Sequence, residues 1–254
     1  MIPEVQIGIF GGSGLYSLLQ HAVDVEVETP WGAATCSVGD VDGRPVAFLP
    51  RHGRGHELPP HRVNYRANVA AMASLGATAV LAPFAAGSLQ PWIGPGDLVV
   101  VDQFVDRTSG RHDTFHDDFT DGPQHVAMAD PYDAELGGVL ARVGRVHGFT
   151  VHEGGTVVVI NGPRFSTRAE SQWHRSAGWH VVNMTQHPEA TLAREAGIRY
   201  AGVAVVTDYD AGVDHRPHVA PVTQEEVFRR FEENVDRLRL LLVDAVRALP
   251  TDGL

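Results

Sequence analysis

Apolar residues recur along this chain with two different spacings, and the change from one to the other marks out its elements. Val5 to Phe10, Ala79 to Ala82, Leu98 to Val101, Gly155 to Ile160, His180 to Met184 and Tyr200 to Thr207 are short apolar runs, the pattern of strands buried on both faces. Ala33 to Val38 and Pro45 to Leu49 read as a hairpin pair around the turn Asp40-Val41-Asp42-Gly43. Helical spacing occurs in Val63 to Leu75, which stops at Gly76, in Asp133 to Val146, and in Ala190 to Ala196, which stops at Gly197. Thr167-Arg168-Ala169-Glu170 and Thr223-Gln224-Glu225-Glu226 have the Thr-x-x-Glu form in which each end can cap the other's backbone N–H, so each opens a helix. The second helix is long, and Val227, Phe231, Val235, Leu238, Leu242, Val246 and Leu249 form its apolar stripe. Strands alternating with helices predict an α/β sandwich, and the early hairpin makes its twisted sheet a mixed one flanked by helices.

No repeat, low-complexity stretch or linker divides the chain, so residues 1–254 are read as one domain. The formal net charge of −11 comes without a basic run, which argues against nucleic acid and anionic membranes as partners. A small anion is still admissible if the few basic groups are concentrated locally. No stretch has the ~18 uninterrupted apolar residues that a membrane span needs. Met1-Ile2-Pro3-Glu4-Val5 lacks the basic and apolar regions of a signal peptide. Cys36 is the one cysteine, so no intramolecular disulfide can form. Together these features predict a cytoplasmic protein. Asp106 to Pro131 is polar and aperiodic, a length of loop that is usually functional or part of an interface. His112 and His116 within it are at i, i+4, and His215 and His218 are also close, but neither Cys nor an H-E-x-x-H pattern accompanies them, so no metal is predicted.

Candidate chemistry gathers at strand ends, where open α/β sheets place ligands. Ala204-Val205-Val206-Thr207-Asp208-Tyr209-Asp210 is an apolar run ending in two carboxylates at i, i+2, which alternation along a strand points the same way. Two carboxylates sharing a low-dielectric pocket cannot both ionise cheaply, so one keeps its proton near neutral pH. One can then donate to a leaving group while the other accepts an N–H. An adenine ring, with its exocyclic amine beside N7, asks for that pair. Gly11-Gly12-Ser13-Gly14 follows the first strand but breaks the dinucleotide pattern, because the third glycine position falls on Ser17. Such a turn can hold a single phosphate through backbone N–H groups and a hydroxyl. Arg51 and His52, on the loop after Val46 to Leu49, supply a planar fork of donors and one donor more.

These segments stand in one order with others: Val63-Asn64-Tyr65-Arg66-Ala67-Asn68, Gly87-Ser88-Leu89, Asp102-Gln103-Phe104-Val105-Asp106-Arg107-Thr108, Gly162-Pro163-Arg164-Phe165-Ser166-Thr167-Arg168-Ala169-Glu170, Asn183-Met184-Thr185 and Pro188-Glu189. From Ile7 to about Leu242 the chain resembles the methylthioadenosine phosphorylase branch of the purine nucleoside phosphorylase superfamily. The resemblance implies a phosphorylase-like fold and phosphate contacts from Ser13, Arg51, His52 and Thr185. Where the family usually has a phosphate-binding Thr this chain has Phe84, which leaves the Ala85 backbone N–H to serve. It also implies that Phe165 packs on the purine and that Met184 lies under the ribose. The 6-oxopurine branch generally has Glu at the position of Ser166 and Asn at that of Asp208, so Ser166 with Asp208 and Asp210 favours a 6-aminopurine.

The expected activity is therefore phosphorolysis of 5′-methylthioadenosine, with inorganic phosphate as co-substrate and no metal or organic cofactor. Asp208 is the expected proton donor to N7, and Asp210 holds the exocyclic amine. Val227 and Phe228 would form an apolar 5′ pocket, with His125 reaching in from a neighbouring subunit of a homotrimer or homohexamer. Two alternatives remain open at this point: a phosphorylase of methylthioinosine or other 6-oxopurine nucleosides, and a non-catalytic nucleoside-binding protein.

Overall fold

The computed structural model describes residues 5–12, 15, 18–120, 122–211, 213 and 223–250. Its first half runs β1 (Ile7–Gly11), β2 (Gln20–Val27), β3 (Ala34–Val41), β4 (Arg44–Pro50), α1 (Tyr65–Ser74), β5 (Ala79–Ser88), β6 (Leu98–Val101) and β7 (Gln103–Arg107). The second half runs α2 (Ala134–Val146), β8 (Val151–Glu153), β9 (Thr156–Ile160), α3 (Arg168–Ser176), β10 (Val181–Asn183), α4 (Gln186–Glu195), β11 (Arg199–Tyr209) and α5 (Gln224–Ala248). The predicted hairpin is β3–β4, closed by Asp42 and Gly43, both at positive φ, the backbone that a two-residue hairpin turn requires. β2 extends this hairpin, and β7 and β8 add two more strands the apolar runs had not marked. A turn at Gln186, whose N–H donates with that of Thr185 to Asn183 Oδ1, precedes the helix predicted from Ala190, and the backbone leaves helical geometry at His187 between them (φ −113°, ψ 132°).

The strands form one mixed sheet that branches at β5. On one side β11 pairs in parallel with the whole length of β5. On the other side β1 pairs only with Ala79 to Leu81, and β10 only with Gly87 and Ser88. Among the described residues the edge of β5 between them has no strand partner, and the sheet opens there. Period-two alternation along β11 builds both cores. Tyr200, Ala204 and Val206 pack with residues of α1 and α4, while Ala201, Val203 and Val205 face α2 and α5. Leu238, Leu241, Leu242 and Val246 of α5 are fully buried, each contributing ~1.5–3 kcal/mol relative to exposure. Helices thus cover both faces, as an α/β sandwich demands.

Candidate active site

The opening beside β5 is the floor of a cavity of about 480 Å³. That volume lies in the ~300–1,000 Å³ range of small-molecule sites. Its walls come from the ends of β1, β4, β5, β10 and β11 and from the first turns of α5. Arg51, His52, Phe84, Ala85, Phe165, Ser166, Met184, Thr185, Asp208, Asp210, Val227 and Phe228 all line it. Of the remaining predicted positions, Ser13 lies outside the described residues. His125 is exposed and away from the cavity, its ring edge-on to Phe119 at 5.6 Å.

At one end the Arg51 guanidinium is 3% exposed. A charge so buried needs a counter-charge, and Glu189 provides it through a two-point contact, Nε to Oε2 at 2.6 Å and Nη2 to Oε1 at 2.7 Å. Burial alone would lower the Arg51 pKa, but the Glu189 charge outweighs it and holds the guanidinium protonated. The Tyr200 hydroxyl donates to the same Glu189 at 2.6 Å. The fork expected to point at phosphate is therefore largely committed to Glu189, and its Nη1 edge is left beside Pro83 O at 3.4 Å.

His52 is neutral: burial and then the neighbouring Arg51 charge push its pKa down to about 4. Its Nδ1 sits 2.9 Å from Leu58 O, so the single ring proton goes to that carbonyl and Nε2 carries a lone pair. Asn183 Nδ2 donates to Ala85 O at 3.0 Å. A strand residue sends its N–H and C=O to the same side, so the Ala85 N–H also leaves the β11 side for the opening. It lies beyond the β1 register and short of the β10 register. Phe84 is buried and offers no hydroxyl.

The other end holds two carboxylates, Asp208 and Asp210, that form no ion pair among the described residues. The β5–β11 register slips between Val206 and Asp208, so Asp208 pairs with Gly87 and Thr207 is the extra residue of a bulge. Strand alternation alone thus does not account for the aspartate pair: Asp210 lies just past the strand, held by its N–H to Ser88 O at 2.9 Å. Gly87 makes room for both, since a Cβ there would sit 3.2 Å from Asp208 Oδ2 and 3.4 Å from Asp210 Cβ. Burial pushes the Asp208 pKa up to about 6, against the hydrogen bond from Thr207 Oγ1 at 2.6 Å and with help from the Asp210 charge. Asp210 is likewise raised by burial. The Ser166 and Ser171 hydroxyls beside it oppose that rise, yet neither completes a hydrogen bond and Asp210 Oδ2 has no partner among the described residues. An unsatisfied carboxylate beside two idle hydroxyls is a site waiting for donors.

One residue escaped the sequence reading. Arg111, from the long loop, donates to Met184 O at 2.8 Å, to Asn161 O at 3.1 Å and to His187 O, and its guanidinium lies 5.4 Å from the Tyr65 ring. It fixes the backbone that carries Met184 and Thr185. Nothing in its neighbourhood of Ser109-Gly110-Arg111-His112 marked it, because its partners are carbonyls far along the chain. His112 and His116 join no cluster of potential metal ligands among the described residues, and His215 and His218 lie outside them.

A profile of the phosphorylase superfamily matches residues 6–247. A purine nucleoside phosphorylase from Streptomyces coelicolor is 52% identical, covering 98% of this chain and 91% of its own. An S-methyl-5′-thioadenosine phosphorylase from Mycolicibacterium smegmatis is 49% identical, covering 98% and 93%. Among solved structures, methylthioadenosine phosphorylase from Schistosoma mansoni in complex with adenine has a TM-score of 0.88 at 40% identity, covering 96% of this chain and 91% of that one. A point mutant of adenosine/methylthioadenosine phosphorylase from the same organism, in complex with methylthioadenosine, has a TM-score of 0.88 at 39% identity, covering 98% and 93%.

Proposed function

The chain belongs to the phosphorylase superfamily, and we propose that it cleaves 5′-methylthioadenosine with phosphate to give adenine and 5-methylthioribose 1-phosphate. The observation that carries this reading is a single cavity lined at one end by Arg51, His52 and Thr185 and at the other by Asp208 and Asp210. In the reaction a phosphate oxygen bonds to C1′ as the C1′–N9 bond breaks and its electron pair passes to the purine. The proton on Asp208 moves to N7 and leaves the aspartate ionised, while Asp210 accepts a hydrogen from the exocyclic amine. Positive charge that grows on the sugar is met by the phosphate oxygens. Such a positioned acid contributes ~10²–10⁴-fold, and the remainder comes from orienting two substrates together.

Phosphate is assigned to Arg51, His52, Thr185, the Ala85 N–H and Ser13. Since the His52 proton is given to Leu58, His52 binds phosphate by accepting from a P–OH group or by taking up a second proton. Phe165 covers the purine, Met184 lies under the ribose, and Val227 with Phe228 lines the 5′ end. His125 completes that end from a neighbouring copy in a homotrimer or homohexamer, a placement supported by its exposure and distance from its own cavity. Among the described residues no helix is long and apolar enough to cross a membrane. We place the activity in cytoplasmic purine and methionine salvage, with no cofactor beyond phosphate.

The 52% identical Streptomyces relative, named a purine nucleoside phosphorylase, keeps a second reading in play, in which this chain acts on 6-oxopurine nucleosides. The two are separated by measuring base release from methylthioadenosine, methylthioinosine, adenosine and inosine, with and without phosphate. Phosphate-dependent adenine release, fastest from methylthioadenosine, is the expected result. Faster hypoxanthine release selects the second reading, and no release from any of the four contradicts both.

A further inference from the structure

Asp106 at the end of β7, Asp113 in the following loop and His187 at the non-helical break in α4 converge outside the cavity. Their donor atoms all lie within 4.8 Å of one another. His187 Nε2 is 3.4 Å from Asp106 Oδ2 and 3.6 Å from Asp113 Oδ2. The His187 residue is 6% exposed, and its Nε2 has no hydrogen-bond partner among the described residues. A buried imidazole nitrogen aimed between two carboxylates at ion-pair distance, without a completed hydrogen bond to either, is a group that a ligand would satisfy.

We propose that these three residues form a binding site for a divalent transition-metal ion of the zinc type. Zinc binds imidazole nitrogen and carboxylate oxygen at ~2.0–2.2 Å, which sets tetrahedral ligands roughly 3.3–3.6 Å apart. The His187 separations fall on that spacing without rearrangement. The surrounding contacts prepare each donor. Asp106 Oδ1 accepts the Thr108 N–H at 2.7 Å, which leaves Oδ2 for the ion. His187 Nδ1 is 3.1 Å from Thr191 Oγ1, and the tautomer that donates there keeps the Nε2 lone pair free. Burial lowers the His187 pKa and so favours that neutral form. The Phe104 ring packs against the imidazole at 5.5 Å. With three protein ligands the ion keeps one position for water, and it ties the start of the long loop to the helix that follows Thr185. The site is separate from the chemistry of the cavity, so its test does not depend on the reaction.

The tag-free full-length chain is stripped with a chelator and titrated with Zn²⁺ against a chromophoric competitor, and Co²⁺ is used as an optical probe. The account predicts one high-affinity ion per chain, a higher Tm with Zn²⁺, and the intense visible absorption of four-coordinate Co²⁺. Changing a mere supporting residue of a metal ligand typically costs ~10–100-fold in affinity. Thr191→Val should fall in that range and Asp113→Asn at or beyond its upper end. Asp113 is half exposed, so its substitution spares the fold, and His112→Gln, on the exposed neighbouring histidine, should bind as the parent does. Equal affinity in the parent and Asp113→Asn, an equal loss in His112→Gln, or only the weak spectrum of six-coordinate Co²⁺ would overturn the proposal.

Discussion

The two ends of the cavity bury charge to a similar depth and treat it in opposite ways. Arg51 is 3% exposed and Asp210 6%. The guanidinium is met by Glu189, which in turn holds the Tyr200 hydroxyl, so every charge there is answered before any ligand arrives. Asp208 accepts the Thr207 hydroxyl, and neither Asp208 nor Asp210 makes an ion pair among the described residues, so burial dominates and moves their pKa values up. Burial by itself decides neither outcome. The presence or absence of a counter-ion makes one end a fixed electrostatic wall and the other a proton store.

Removing the counter-ion should break the contrast with the largest effect. Glu189→Gln leaves Arg51 charged and uncompensated, and unfolding in denaturant should show a loss of ~3–5 kcal/mol. Arg51→Met combined with Glu189→Leu removes both charges and should recover most of that loss. A single variant as mild as the double would mean the pair is not a unit.

Asp208→Asn should act in the opposite sense on stability and activity. Because the folded pKa of about 6 stands above the ordinary 3.8, the contribution of Asp208 to stability is fully present below pH 3.8 and is lost as pH rises through 6. The variant escapes that loss. It should therefore be more stable than the parent by roughly 2–3 kcal/mol at pH 8, with no advantage near pH 3.5. Turnover of methylthioadenosine should fall by ~10²–10⁴-fold. Equal thermal stability at pH 8 would show that the carboxylate is not stored at a cost.

A smaller effect reports on His52. With its pKa held at about 4, His52 starts neutral, so phosphate bound through a second ring proton takes up nearly one proton at pH 7.5, and phosphate bound through its own P–OH group takes up none. Calorimetry in buffers of different ionisation enthalpy reads that uptake, and His52→Gln should abolish it. The smallest effect concerns Ser166, whose hydroxyl restrains the rise of Asp210. Ser166→Ala should raise KM for the aminopurine nucleoside by less than about tenfold, the worth of one neutral hydrogen bond, with kcat nearly unchanged.

How much of this was legible follows from the range of each interaction. Period-two and period-3.6 patterns are local, and they located β1, β3 to β6, β9 to β11 and the α5 stripe. β2 was legible too, because Val23, Val25 and Val27 alternate with Asp24 and Glu26, but the reading passed over it. Arg51 was conspicuous, whereas its partner Glu189 is 138 positions away and no spacing rule links them. Arg111 was invisible for the same reason, its partners being distant carbonyls. The bulge at Thr207 is set by how β5 and β11 pair, so alternation alone gave an incomplete account of why Asp208 and Asp210 share a wall.

The proton store is the central claim, and the pH dependence of kcat/KM for methylthioadenosine at saturating phosphate tests it most directly. The account predicts that kcat/KM declines as pH rises above about 6, with the slope of one ionisation, and that Asp208→Asn removes this decline from its residual activity. A profile flat from pH 5 to 8, or one that Asp208→Asn leaves in place, would contradict it.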